Sequence, residues 1–99
     1  MLPAVARDLH RLASVLRKTG DFVKAKAYLE RAISIAKASL GANNPAHDFY
    51  LVDLGKILQQ SGYITEAKKI VQQASEALKI KLGPNHPLTL AANKLLDEL

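Results

Sequence analysis

Residues 82–87 read LGPNHP, and 42 positions earlier residues 40–45 read LGANNP. Both are loop chemistry: the glycine permits a turn that other residues resist, and the proline sets a new element going. A chain of 99 residues that writes this loop twice is punctuating something that itself occurs twice.

Sliding the chain by 42 positions brings Pro3, Pro45 and Pro87 into register. Leu9 then meets Leu51, Leu12 meets Leu54, Leu16 meets Leu58, and Gly20 meets Gly62. Ala25 falls on Ala67, Ala32 on Ala74, Gly41 on Gly83 and Asn43 on Asn85. About 13 of the 42 positions are identical, mostly prolines, glycines, small residues and leucines. The chain is read as one domain with a first repeat over residues 3–44 and a second over 45–86. Residues 87–99 form a capping helix or a partial third repeat.

Within each unit the apolar spacing is helical, since Leu9, Leu12 and Leu16, like Leu51, Leu54 and Leu58, run i, i+3, i+7. The three prolines fall near a first helical position, where a missing N–H costs nothing, and Asn44 precedes Pro45 as a helix cap. Gly20 and Gly62 end the first helix of each unit in a left-handed turn. A second helix is expected over about 22–39 and again over about 64–81, ended by Gly41 and Gly83. Ala25 with Ala32, and Ala67 with Ala74, lie two turns apart on one face and leave notches for close helix contact. The expected fold is all-α, with two helix–turn–helix units and a fifth helix from Pro87.

This pattern resembles the tetratricopeptide repeat (TPR) family. Its order of a large residue, Leu, a small residue, a large residue, Gly, an aromatic and two alanines is carried in unit one by Leu9, Leu12, Ala13, Leu16, Gly20, Phe22, Ala25 and Ala32. Unit two carries Leu51, Leu54, Gly55, Leu58, Gly62, Ile64, Ala67 and Ala74. The usual repeat of the family is about 34 residues; the 42-residue length and the LGPNHP linker are similar to its kinesin light chain type. The resemblance implies antiparallel helix pairs stacked as a short right-handed solenoid of about five helices, with the first helix of each unit lining a concave face. It departs from the pattern where an Asn pair would grip a peptide backbone. Those places hold His10 and Arg11, Val52 and Asp53, and Lys94 and Leu95, so that clamp is not carried over.

Composition limits the functions. With 48% apolar and 23% charged residues the chain is an ordinary globular one, and its opening stretch carries charges too early for a secretory signal. No apolar run nears the roughly 20 residues that span a bilayer, so no membrane role is expected. The absence of cysteine excludes disulfides and thiolate metal sites and fits a cytoplasmic setting. His10, His47 and His86 share no i, i+4 pair on one helix, which argues against a metal site. The serines sit in no nucleophile turn and the loop glycines form no phosphate-binding cluster. No enzyme activity and no cofactor are expected.

The charge of +5 is uneven: residues 3–44 hold eight Lys/Arg against three carboxylates, while 45–86 hold five against four. The register assigns Arg7, His10, Arg11, Ser14, Arg17 and Lys18 to the concave face in unit one. Unit two contributes Phe49, Val52, Asp53, Lys56 and Gln59, and the last helix contributes Lys94. This stripe reads either as a solvated helix face or as a cradle for an acidic peptide or protein, because guanidinium groups bind carboxylates bidentately. A nucleic-acid surface would need more cations with aromatics between them. Phe49 and Val52 read as packing against the next unit or as a pocket for a ligand side chain. The chain is expected to be a protein–protein interaction module, a scaffold that catalyses nothing; self-association of an incomplete array is the alternative. Asp97 stands where Ala13 and Gly55 stand, so no second helix is expected to cover it; the last helix is a cap and missing repeats would precede Met1.

Overall fold

The computed structural model describes residues 3–41 and 43–99, with the side chain of Pro3 left aside. Its five helices are α1 (Pro3–Lys18), α2 (Phe22–Leu40), α3 (Ala46–Gln60), α4 (Ile64–Leu82) and α5 (Pro87–Glu98). The helix-breaking loops fall where the glycines place them. Gly20 and Gly62 have φ near +90°, a conformation that costs a Cβ-bearing residue energy. Each lets the chain close a paired cap: Asp21 N–H donates to the Leu16 carbonyl at 2.8 Å, and Tyr63 N–H to that of Leu58 at the same distance.

The second helices start differently in the two units. Asp21 caps α2 by accepting from the Lys24 N–H at 3.3 Å, whereas Tyr63 offers α4 no side-chain cap. The start of α3 departs from the sequence reading by one residue. Pro45 itself occupies the cap position, its carbonyl accepting from Phe49 N–H at 2.9 Å, and Asn44 serves from one place earlier by accepting from Ala46 N–H at 2.9 Å. At α5 the expected arrangement holds: Pro87 opens the helix and the His86 imidazole Nδ1 accepts from Leu88 N–H at 3.1 Å.

Consecutive helices pack against each other along the chain, α1 on α2, α2 on α3, α3 on α4 and α4 on α5. In addition α1 touches α3 and α3 touches α5, while α2 and α4 make no close backbone approach. The first helices therefore form an inner layer and the second helices a splayed outer one. That asymmetry curves the stack toward α1, α3 and α5. The core runs along the seam between layers, where Ala25, Ala32, Ala67 and Ala74 are fully buried beside Leu29, Leu58, Val71 and Leu78.

The tightest point of that seam is Gly55 on α3. A Cβ built there would lie 2.2 Å from Val71 Cγ2, so only glycine allows α4 to pass at this separation. The small-residue position of the repeat thus has a direct cause. Asp97, its counterpart on α5, is exposed. Gly55→Ala is expected to lower stability by about 1–3 kcal/mol through overpacking, as read by urea unfolding. Adding Val71→Ala should make the double variant more stable than the sum of the two single losses implies; strict additivity would show that the contact does not limit the approach.

Candidate functional site

The inner layer shows what becomes of each residue assigned to the concave face. Because neighbouring first helices are offset by one residue from the repeat register, partners across the seam are 43 apart. His10 hydrogen-bonds Asp53, and Arg17 Nη1 donates to Gln60 Oε1 at 3.1 Å. Residues 52 and 95 continue the series, and here the chemistry changes. Val52 is 4% exposed and lies in a core cluster with Val71, Ala74, Leu78, Ala92 and Leu95. It is packing, not groove lining, because α5 covers it.

His10 and Asp53 are half-buried and engaged with each other, and Lys56 Nζ reaches Asp53 Oδ1 at 3.4 Å. Burial pushes the Asp53 carboxyl up, but the His10 hydrogen bond and the Lys56 ammonium outweigh it, holding its pKa below the ordinary 3.8. The Asp53 carboxylate is therefore neutralised locally, and the exposed carboxylate of this face is Glu98 on α5. The His10 ring stacks on Tyr50 with centroids 4.8 Å apart and tilts against Phe49 at 5.2 Å. Phe49 remains half-buried at the edge of this cluster. Tyr50 is a member that sequence reasoning missed, since its counterpart in unit one is Asp8 and the register gave no sign of an aromatic; burial raises its pKa, partly opposed by Arg7.

Arg7, Arg11, Lys18 and Lys94 are exposed and hold no ion pair among the described residues. Ser14 and Gln59 are half-buried and bring no further charge. A shallow cleft of about 240 Å³ between α3 and α5 is lined by Lys56, Ala91, Lys94, Leu95 and Glu98. The face thus offers unpaired cations beside an aromatic edge and a shallow cleft. A separate hollow of about 370 Å³ is lined by Lys37, Gly41, His47, Asp48 and Lys81. Its carboxylate is already engaged: buried Asp48 meets Lys81 Nζ at 2.5 Å and His47 Nδ1 at 3.5 Å, tying the start of α3 to the end of α4. Among the described residues no three His, Asp or Glu side chains gather as a metal site, and no helix is long and apolar enough to cross a membrane.

The tetratricopeptide repeat family model matches residues 5–80, and the chain belongs to that family. Among solved structures it is similar to the nearly identical TPR-like repeats of a protein from Podosopora anserina assigned as a kinesin light chain. That match has a TM-score of 0.86 at 25% identity, covering 98% of this chain and 46% of that one. This chain therefore spans about half the length of that structure. No curated protein matches significantly.

The Asp53 cluster makes a pH-dependent contribution with a definite sign. A carboxyl whose folded pKa is lowered stabilises the fold above its unfolded value and loses that contribution as pH falls through the folded one. Asp53→Asn is expected to cost about 1–3 kcal/mol at pH 7, with the gap to the parent closing in strong acid. Urea unfolding at neutral pH and near pH 2.5 checks it. An equal gap at both values would show that the ion pair is not the source.

Proposed function

We propose that the chain is a non-catalytic module that binds an acidic segment of a partner protein on the face formed by α1, α3 and α5. Tetratricopeptide repeats are protein–protein interaction modules, and stacked helix pairs make a rigid surface onto which specificity is grafted by side chains. The observation that carries the acidic preference is the set of unpaired cations. Arg7, Arg11 and Lys94 stand free on a face whose one half-buried carboxylate, Asp53, is already held by His10 and Lys56.

In this reading Arg7 and Arg11 meet the partner's carboxylates, the Phe49 edge takes an apolar side chain, and Lys56 with Lys94 lines the far end. The arginines are suited to that work because their fork matches a carboxylate geometrically, where a lysine is only a point charge. The helix α5 packs on α4 and α3, and its Asp97 is exposed. A cytoplasmic setting belongs to the same proposal and is supported by the cysteine-free sequence.

Fluorescence anisotropy with a labelled, unstructured Glu-rich peptide tests the reading. Binding is expected to weaken as salt rises, because exposed charges are screened over a length of about 8–10 Å at physiological ionic strength. Arg7→Glu combined with Arg11→Glu should abolish it while far-UV circular dichroism is unchanged. Binding that persists in the double variant or ignores salt would refute the acidic preference and point to the Phe49 edge.

A further inference from the structure

Unit two departs from unit one at a buried pair of positions. Asp48 and Lys81 stand where unit one has Ala6 and Ser39. Asp48 is 4% exposed, and its carboxylate meets Lys81 Nζ at 2.5 Å and His47 Nδ1 at 3.5 Å. A buried ion pair adds little to stability, because desolvating both charges offsets their attraction, so packing alone does not account for it. The pair lines the hollow of about 370 Å³ where three helices meet. The last turns of α2 and its cap supply Lys37 and Gly41, the start of α3 supplies His47 and Asp48, and the end of α4 supplies Lys81. Residues of both units enclose the hollow, which is therefore internal to the stack.

The charges around it suit an anion. Asp48 is already engaged, whereas Lys81 gives it one of the three donors that an ammonium carries. Lys37 is exposed and holds no ion pair among the described residues. The first turn of α3 adds backbone N–H groups without an intrahelical partner, at the positive end of the helix dipole. The donors also select the class of anion. A planar carboxylate is matched best by an arginine fork, and the described lining of the hollow contains no arginine. Compact ammonium groups suit a tetrahedral, doubly charged phosphate. The volume falls within the roughly 300–1,000 Å³ of small-molecule sites, leaving room for an organic group against the aliphatic lysine stems.

We propose that this hollow binds a small organic phosphate monoester. Lys81 bridges the buried Asp48 carboxylate and a phosphate oxygen, Lys37 closes on the phosphate from α2, and the first turn of α3 faces it. The bound ligand ties α2 of unit one to α3 and α4 of unit two. The site uses none of the cations assigned to the acidic peptide.

The probe is phenyl phosphate at about pH 7.5, where a monoester is mostly doubly charged. It is expected to shift the backbone amide NMR signals of Gly41, His47, Asp48 and Lys81, and to bind about tenfold or more tightly than benzoate. Lys37→Glu, at an exposed position, should weaken it by about tenfold or more with far-UV circular dichroism unchanged. Asp48→Ala combined with Lys81→Ser restores the residues of unit one and should abolish binding while the chain stays folded. Lys37→Glu should leave the Glu-rich peptide unaffected, and Arg7→Glu with Arg11→Glu should leave phenyl phosphate unaffected, so the two sites succeed or fail separately. Equal binding of benzoate, or indifference to Lys37→Glu, would overturn the proposal. Inorganic phosphate binding as tightly as the ester would reduce the hollow to a bare anion site and overturn it too. So would a response to a phosphoserine peptide alone, since the phosphate would then belong to a partner chain.

Discussion

The approach of α4 to α3 at Gly55 is the constraint from which the rest of the architecture follows. Val71 Cγ2 occupies the space that a Cβ at Gly55 would need, and fully buried Ala67 and Ala74 keep the adjoining turns of α4 equally low. Close packing within the pair leaves no slack to absorb an extra methyl group. In unit one buried Ala13, Ala25 and Ala32 likewise keep the α1–α2 contact lined with small residues, although Ala13 carries the Cβ that Gly55 lacks. Two similar pairs joined by similar glycine-containing loops stack one on the next, and that step gives the stack an inner layer and an outer one.

That step is 43 residues across the seam although the repeat is 42, and the difference decides where the polar chemistry goes. At the boundary between units one and two it pairs His10 with Asp53 and Arg17 with Gln60. At the next boundary the same step falls on Val52 and Leu95, which are buried together in the core. The geometry is constant while the side chains grade from polar to apolar along the stack. Within the inner layer most of the free cations therefore lie on α1, and the neutralised Asp53 does not oppose them. The functional reading depends on this distribution more than on the fold, which many unrelated functions share.

The helices were legible because each boundary has a local cause: a glycine at positive φ, a proline at a start, a leucine spacing of one face. Arg7, Arg11 and Lys94 are exposed, as their register leads one to expect, and Lys56 is half-buried beside Asp53. Between the two readings the sequence left for Val52, packing or a pocket, the structure shows packing, because α5 covers that side. The His10–Asp53 pair and the contact of Asp48 with Lys81 were illegible for a related reason: each joins residues more than thirty positions apart through a one-residue offset or a loop geometry that exists only in three dimensions. Tyr50 stayed hidden because repeats preserve the skeleton and vary the rest.

The proposed function depends most directly on which layer meets the partner. Backbone amide NMR mapping during titration with the unstructured Glu-rich peptide measures this for every helix at once. The expected result is perturbation on α1, α3 and α5, strongest around Arg7, Arg11, Phe49 and Lys56, with α2 and α4 silent. Perturbation centred on α2 and α4, with the inner layer unchanged, would contradict it.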